Sequence, residues 1–402
     1  MKPLRIALLT HSIRPRGGVI HTLELADALA ARGHRITLIA SAEPGEQMFR
    51  PVSHWLELVR LPTLHGDLVS QVSQRINCLV RALPMLLQPG AHDLIHAQDS
   101  LSGNALATLR DGGLLDTPWL RTVHHLDHFR ENLLNRWQER AWRAADGVAC
   151  VSQLWLQALR EQHGVAAQRM FNGVNLARYQ PRPEADEAAA LVALGLTETA
   201  GPVCLLVGGV EERKNSVRLL QAFGRLRASD PAWRQARLVV AGGASMLDHG
   251  AARSAWAEQL AALGLSEGPG QAVLRTGPLP DALIPALMRR ATLLAMPSLV
   301  EGFGLVALEA LACGTPVLVS RRAPFTEHLA GCEAVAWCEP EDVASIAAGL
   351  RAAAALPRPT DTPAVCRDYS WERSARLHER WYCQTLAALH PPHATETALP
   401  VC

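Results

Sequence analysis

The sequence lacks the charge imbalance and the long apolar runs that mark several classes of protein. Its 39 basic and 38 acidic residues leave a formal net charge of +1, so composition gives no reason to expect a nucleic-acid partner. No stretch is long and apolar enough to predict a membrane span. The apolar core within the first residues, MKPLRIALLTHS, is too short for a signal peptide and lacks a small-residue cleavage site.

The cysteines lack the spacing of a disulfide framework or a zinc site. There are nine of them, an odd number, and none belongs to a C-x-x-C pair. Several lie inside apolar strand or helix patterns, where a reduced thiol packs as a small apolar side chain. Scattered cysteines of this kind are typical of cytosolic proteins, so we predict a cytoplasmic location.

The chain is organised as two successive series of strands and helices. With 402 residues, 49% of them hydrophobic, it is too long for a single core. Apolar runs of strand length alternate with helical patterns in both halves, which predicts an α/β protein with two Rossmann-like parallel sheets. The first series begins at residues 4–10 and the second at residues 203–207. Residues 181–200 are rich in Ala, Glu and Pro, as expected of a linker with a short surface helix.

The most informative stretch is 291–320, whose pattern predicts a strand, a glycine-containing loop, a helix and a second strand. Gly302 and Gly304 lie in the loop, and a loop that leads into a helix offers backbone N–H groups and a positive dipole end to an anion. Glu301 and Glu309 would repel phosphate but would accept hydrogen bonds from sugar and ribose hydroxyls. The stretch therefore predicts a site for a diphosphate between two sugars. The alternative is a buried unit without a ligand.

This stretch resembles the E-x7-E segment of family 4 of the retaining GT-B glycosyltransferases. The letters EGFGLVALEALACGTPV place Glu301 and Glu309 at the two glutamates without a gap. The segments ADGVACVS (145–152), FNGVN (171–175) and GGVEERKN (208–215) resemble the same family. The resemblance therefore extends over nearly the whole chain.

One position departs from the family pattern. The segment GGVEERKN keeps Lys214 but has Gly209 where the family has an arginine. Arg213 is close enough in the sequence to supply the missing charge. The alternative for Lys214 is a solvated surface lysine.

The resemblance implies a role for each matching residue at the carboxyl end of a strand, where ligands bind in open parallel sheets. The implied catalytic residues are Glu301 on the donor sugar, His124 near the sugar and the acceptor, and Lys214 on the leaving diphosphate. Glu309 would hold the ribose hydroxyls. The full set of implied donor-binding residues is Gly17, Gly18, Arg213, Lys214, Arg275, Gly302, Phe303, Gly304, Leu305 and Glu309.

The resemblance also implies the GT-B architecture, in which two Rossmann-like domains face each other across a cleft. Residues 1–178 would form the acceptor-side domain and residues 179–369 the nucleotide-sugar donor domain. Residues 370–390 would form a helix that returns to the first domain. Residues 391–402 are expected to be a disordered tail.

The implied activity is retaining transfer of a hexosyl group from a nucleotide-diphosphate sugar to an acceptor hydroxyl, with no metal and no cofactor besides the donor. The acceptor would be a sugar, a lipid or a small molecule, selected by loops at 41–66 and 124–132. A lipid acceptor would bring the protein to the inner membrane face. Helix 68–87 is a poor anchor for that purpose, because its only positive charges are Arg75 and Arg81.

The same residues allow alternative interpretations of the site and of the function. The run from His124 to His128 has three histidines and one aspartate, which suggests either a metal site or hydrogen-bonded core histidines. Rival functions are a GT-B epimerase or phosphorylase, and a silent protein that binds nucleotide sugars. A dehydrogenase is disfavoured, since Gly17 and Gly18 do not belong to a G-x-G-x-x-G fingerprint.

Overall fold

The computed structural model describes residues 2–196, 200–243 and 250–389 of the chain. The predicted tail, 391–402, lies outside the described residues. Within them the protein has two parallel sheets, each with helices on both faces. The predicted α/β fold with two Rossmann-like sheets is therefore confirmed.

The first sheet has seven parallel strands in the order β3-β2-β1-β4-β5-β6-β7. Its strands are β1 (Arg5–Thr10), β2 (Arg35–Ala42), β3 (Trp55–Arg60), β4 (Leu94–Ala97), β5 (Trp119–Val123), β6 (Gly147–Cys150) and β7 (Ala167–Arg169). The helices that connect them are α1 (Gly17–Ala30), α2 (Leu68–Leu86), α3 (Ser100–Asp111), α4 (Asn132–Arg143) and α5 (Gln153–His163).

The second sheet has six parallel strands in the order β10-β9-β8-β11-β12-β13. Its strands are β8 (Val203–Val207), β9 (Arg237–Ala241), β10 (Val273–Gly277), β11 (Leu293–Met296), β12 (Val317–Ser320) and β13 (Val335–Cys338). Its helices are α6 (Glu187–Ala193), α7 (Ser216–Ser229), α8 (Gly250–Ala262), α9 (Leu283–Arg290), α10 (Leu305–Ala312), α11 (Phe325–His328), α12 (Val343–Ala355) and α13 (Ala364–Asp368), with a short 3-10 turn at Pro231–Trp233.

The central strands are buried on both faces, which explains their nearly continuous apolar sequences. In β1 every residue from Ile6 to Thr10 is buried, and all four residues of β11 are buried. The helix α10 is buried almost all round, so its sequence LVALEALA shows little amphipathic contrast.

The last helix, α14 (Trp371–Leu389), packs against α1 and the first sheet. The Tyr382 hydroxyl lies 2.8 Å from His96 Nδ1, inside the core. The Glu379 carboxylate forms an ion pair with Arg32 at 2.5 Å and lies 3.1 Å from His34 Nε2. These contacts join the end of the described chain to its first hundred residues.

Strand β3 lies within the stretch 41–66, for which the sequence predicts only an acceptor loop. It forms an edge of the first sheet, and Trp55 at its start is 70% exposed. An edge strand with one solvated face lacks the continuous apolar run of the central strands, which is why the sequence did not reveal it.

The strand order reverses between β1 and β4 in the first sheet and between β8 and β11 in the second. Loops that leave the carboxyl ends of such neighbouring strands diverge to opposite faces and open a crevice, which is the usual ligand site of open α/β sheets. Lys214 follows β8 and Glu301 follows β11. The topology alone therefore places these two residues at the crevice of the second sheet.

Candidate active site

Loops from the two sheets meet at His124, directly after β5. A Cβ atom added to Gly18, near the start of α1, would lie 3.3 Å from the His124 ring. One added to Gly302, after β11, would lie 2.4 Å from the His124 carbonyl oxygen. Glycine at 302 thus permits the backbones of the two halves to touch. Three predicted site segments, distant in the sequence, are brought together here.

The centre of the site is a buried ion pair between Lys214 and Glu301. Lys214 Nζ lies 2.6 Å from Glu301 Oε1, and each residue is only 7% exposed. The Ser298 hydroxyl donates to the same carboxylate oxygen at 2.9 Å. Burial alone would raise the pKa of Glu301, but the charges of Lys214 and Arg213 with these hydrogen bonds lower it to about 2. Glu301 is therefore ionised at neutral pH.

Arg213 is a second cation at this carboxylate. Its guanidinium lies 3.3 Å from Glu301 Oε2 and 3.4 Å from Glu211. Burial lowers its pKa, while the charges of Glu301 and Glu211 raise it, and the net shift is upward. Arg213 and Lys214 thus place two basic side chains against the same buried carboxylate.

The structure gives a physical reason for glycine at position 209. Gly209 has φ of 78°, in the left-handed region, where a residue with a side chain is strained. A Cβ atom there would also lie 3.1 Å from the Gly243 carbonyl oxygen. The backbone at 209 therefore disfavours an arginine.

Asn215 fixes the loop that carries Arg213 and Lys214. In the sequence, Asn215 is marked only by its place in the family pattern that contains Lys214. Asn215 is left-handed, with φ of 59°, and is 4% exposed. Its amide donates to the carbonyl oxygens of Pro297 at 2.9 Å and Pro340 at 2.5 Å. These bonds hold the loop after β8 against the loops after β11 and β13, so they also position Lys214 against Glu301.

The residues of the glycine loop contribute mainly backbone. Gly304 has φ of 89°, and a Cβ atom there would lie 2.4 Å from the Phe325 ring. The Phe303 ring stacks on His328 with centroids 4.6 Å apart and planes 2° apart. With that side chain packed in the core, residues 302–305 can offer a ligand only their N–H groups at the amino terminus of α10.

Glu309 lies in a different electrostatic environment from Glu301. It is 4% exposed and hydrogen-bonded to the Tyr179 hydroxyl. Burial, followed by the negative charges of Glu24 and Asp281, raises its pKa to about 7, although Tyr179 and Arg178 oppose the shift. Two buried glutamates eight positions apart thus have very different pKa values, because two adjacent cations offset the effect of burial at Glu301 whereas burial dominates at Glu309.

His124 is a neutral, half-buried imidazole. Its Nε2 lies 3.1 Å from Gln98 Oε1, and its ring meets the His21 ring edge-on at 4.7 Å. Burial and the nearby His21 lower its pKa well below the ordinary value. The sequence did not point to His21 or Gln98 as neighbours of the site, because they come from α1 and from the loop after β4.

Arg275 is not joined to this group. Its Nε lies 2.7 Å from Glu267 Oε1, and the side chain is 44% exposed. Glu267 also accepts a hydrogen bond from the Trp256 indole at 3.0 Å. The Arg275 side chain is therefore engaged at the outer edge of the second sheet, so a ligand could use only its backbone.

The histidine run after β5 does not assemble a metal cage. His125 Nε2 lies 3.1 Å from Asp127 Oδ2 as a simple pair. In the part of the chain that the structure describes, no three His, Cys, Asp or Glu side chains are grouped as metal ligands. Within the same residues, no helix has the length and apolarity that crossing a membrane requires.

Solved structures with this architecture are glycosyltransferases of the GT-B fold. Sucrose-phosphate synthase from Thermosynechococcus elongatus superposes with a TM-score of 0.76 at 23% identity, covering 96% of this chain and 100% of that one. The catalytic domain of starch synthase IV from Arabidopsis thaliana, bound to ADP and acarbose, gives a TM-score of 0.72 at 15% identity, covering 96% and 100%. At these identities the likeness establishes the fold.

Sequence comparison identifies the family. Residues 15–178 match the profile of Glycosyltransferase Family 4, and residues 196–370 match Glycosyl transferases group 1. A D-inositol 3-phosphate glycosyltransferase of Geodermatophilus obscurus is 32% identical over 334 residues, 78% of this chain and 70% of that protein. One of Acidothermus cellulolyticus is 29% identical over 357 residues, 81% and 77% respectively. The chain belongs to glycosyltransferase family 4 and is a glycosyltransferase that uses a nucleotide-sugar donor, as its sequence predicts.

Proposed function

We propose that this glycosyltransferase moves a hexosyl group from a nucleotide-diphosphate sugar to an acceptor hydroxyl with retention of configuration and without a metal ion. The observation that carries the proposal is the buried pair of Lys214 and Glu301 beside the amino terminus of α10. A lysine and an ionised glutamate at one strand crevice provide a partner for phosphate and a partner for sugar hydroxyls in the same place.

The donor diphosphate would be held by positive charge and backbone dipoles. Lys214 and Arg213 offer two cations, and the N–H groups of residues 302–305 point from the amino terminus of an eight-residue helix. When the phosphate takes up Lys214, Glu301 is freed to accept from hydroxyls of the donor sugar. Preorganised charges of this kind stabilise the negative charge that develops on the leaving diphosphate.

The ribose and the acceptor would lie on either side of this centre. Glu309, whose pKa is about 7, can both accept from and donate to ribose hydroxyls near neutral pH. Gly17 and Gly18, at the amino terminus of α1 in the first domain, would face the diphosphate. His124 is neutral, so it would orient a sugar or acceptor hydroxyl by a hydrogen bond and would not supply positive charge.

The reaction that fits these residues proceeds on one face of the sugar. The bond between the anomeric carbon and the phosphate oxygen breaks, the acceptor oxygen forms a bond to the same face, and its proton passes to the leaving phosphate oxygen. No carboxylate is assigned as a nucleophile. Glu301 would orient the sugar and exclude water from the site.

We place the boundary between the two domains after residue 178, between β7 and β8, and we propose a cytoplasmic location. One face of helix α2 packs into the protein core through Val72, Ile76, Leu79 and Leu83.

The test is a thermal-shift panel of nucleotide-diphosphate sugars followed by product analysis with the stabilising donor. Specific binding to the native state raises the melting temperature by mass action, and NMR of the product reports the anomeric configuration. We expect transfer only when an acceptor is present, with retention. The variant E301A should bind nucleotide yet lose turnover, whereas E333A, which changes an exposed glutamate, should behave as the wild type. Isomerised donor without acceptor would instead indicate an epimerase, and full activity of E301A would contradict the proposal.

A further inference from the structure

A polar cavity lies beside the candidate active site, and none of the roles above uses it. It has a volume of about 170 Å³ and sits at the carboxyl ends of β1 and β2, with α2 as a further wall. One water occupies about 30 Å³ in the liquid, so the cavity can hold a group of several non-hydrogen atoms. Three arginines line it: Arg14, Arg16 and Arg75.

Arg75 enters the cavity from α2 without a partner. Its Nε is shielded from solvent and makes no hydrogen bond. Among residues 2–196, 200–243 and 250–389, no carboxylate lies at ion-pair distance from its guanidinium. Burial lowers its pKa, and the charges of Glu43 and Glu46 only partly oppose that shift. A shielded donor without an acceptor is costly, and a bound anion would supply the acceptor.

A second unpartnered donor faces the same cavity from another element. Ser41, at the end of β2, is 2% exposed, and its hydroxyl makes no hydrogen bond within the described residues. Ser41 and Arg75 are 34 positions apart and belong to different elements. Their convergence on one cavity is therefore a feature of the fold and not of a local turn.

The two glutamates that line the cavity do not cancel this positive character. Glu46 uses one carboxylate oxygen to hold Arg14 at 3.0 Å and the other to accept from the Glu43 N–H at 3.0 Å. Glu46 therefore positions Arg14 and braces its own loop. The Glu43 carboxylate is the group that can accept a hydroxyl.

Arg16 connects the cavity to the reacting centre. It lines the cavity and directly precedes Gly17, the first residue of α1. Burial lowers its pKa, and the charges of Glu211 and Arg213, the latter beside Glu301, act on it as well. A molecule bound in the cavity would therefore lie next to the crevice where the sugar is transferred.

We propose that this cavity binds a phosphoryl group carried by a hydroxylated acceptor, an inference that rests on the proposed glycosyl transfer. Arg75, Arg14 and Ser41 approach from three different elements, which suits a tetrahedral anion with three terminal oxygens better than a planar carboxylate with two. Glu43 would accept from a hydroxyl of the same molecule. Arg75 is then a residue that determines acceptor specificity.

The test compares phosphorylated acceptors with their neutral parents. Glucose 6-phosphate, fructose 6-phosphate and inositol monophosphate would each be assayed beside the unphosphorylated compound, with glucuronate as a carboxylate control. The wild type should prefer the phosphorylated member. The substitution R75Q should raise the KM for the phosphorylated acceptor about 10- to 100-fold, as expected from the loss of a hydrogen bond to a charged group. R81Q, an exposed arginine on the same helix, is the matched control and should keep the preference.

A binding measurement decides the proposal independently of turnover. In K214M, which lacks the lysine of the donor site, inorganic phosphate should still raise the melting temperature. The double variant K214M/R81Q should keep this stabilisation, and K214M/R75Q should lose it. Equal stabilisation of the two double variants, or no stabilisation of either, would overturn the proposal. If no nucleotide sugar binds or reacts, the proposed function fails, but this phosphate series still reports on the cavity.

Discussion

At the scale of single residues, the site depends on two glutamates whose surroundings differ in charge. Glu301 faces Lys214 and Arg213, and its pKa falls to about 2. Burial, with a smaller effect from the charges of Glu24 and Asp281, raises the pKa of Glu309 to about 7. The same side chain therefore serves as a permanent acceptor at one position and as a titrating group at the other.

Substitutions in the Lys214–Glu301 pair should affect stability and activity differently. In K214M the Glu301 carboxylate stays buried without its main partner, and we expect a loss of about 3 kcal/mol in the free energy of unfolding. The double variant K214M/E301Q removes both charges and should regain much of that loss. Both variants should lose about 100-fold or more in kcat, since a charge that stabilises the leaving group is gone. Urea unfolding and steady-state kinetics check the two parts, and a double variant as unstable as K214M would contradict the pairing.

Glu309 should impose a pH dependence of known sign. Its pKa is raised from 4.5 to about 7 on folding, so between these values the native state binds more protons than the unfolded state. The free energy of unfolding should therefore fall as the pH rises from 4.5 to 7, by about 3 kcal/mol at most. The measurement is the difference between the wild type and E309Q, which cannot titrate, in urea unfolding at pH 5 and pH 8. A difference that is independent of pH would show that Glu309 keeps its ordinary pKa.

At the scale of elements, the amino terminus of α10 depends on a left-handed glycine that touches another helix. G304A should destabilise the protein by at least 2 kcal/mol and weaken donor binding, because the added methyl group meets the Phe325 ring. Gly331 has a similar φ of 82° but open space around its Cβ position. G331A therefore isolates the backbone strain, about 1 kcal/mol, and the difference between the two variants in thermal unfolding measures the steric contact. Equal destabilisation by G304A and G331A would mean that the Phe325 ring moves aside without a loss of stability.

The sequence predicted most at this scale, and its failures have physical causes. Central strands and glycine-containing loops have local signatures, so the two sheets and the segments at Lys214 and Glu301 could be predicted. The edge strand β3 has an exposed face and no such signature. The approach of His21 to His124, and of Tyr179 to Glu309, joins elements far apart in the sequence, which a single sequence without related sequences does not reveal.

At the scale of the whole molecule, the two halves are held together by contacts outside the site as well. The Glu327 carboxylate, from α11 beside the second sheet, accepts hydrogen bonds from the N–H groups of Gln153 and Leu154 at 2.7 and 2.8 Å. These groups form the amino terminus of α5, beside the first sheet. A negative charge at the positive end of a helix dipole is favourable, so this contact stabilises the packing of the two halves against each other.

Loss of the Glu327 charge should weaken the contact between the two halves and let them separate more easily. E327Q removes the interaction with the α5 dipole and should raise the KM for the donor several-fold. The circular dichroism spectrum should stay unchanged, which shows that the variant is folded. Small-angle X-ray scattering should show a larger radius of gyration without donor. E333Q, which changes a nearby exposed glutamate, is the control. Unchanged kinetics and scattering in E327Q would show that the site contacts alone keep the halves together.

The return of α14 to the first sheet has a consequence for how the protein is made. Because Tyr382 completes the surroundings of His96, and Glu379 contacts Arg32 and His34, the interior of the amino-terminal half is complete only after α14 has left the ribosome. Residues 2–178 are therefore synthesised well before the helix that completes their packing. Expressed without α14, the amino-terminal half would lack part of its own core.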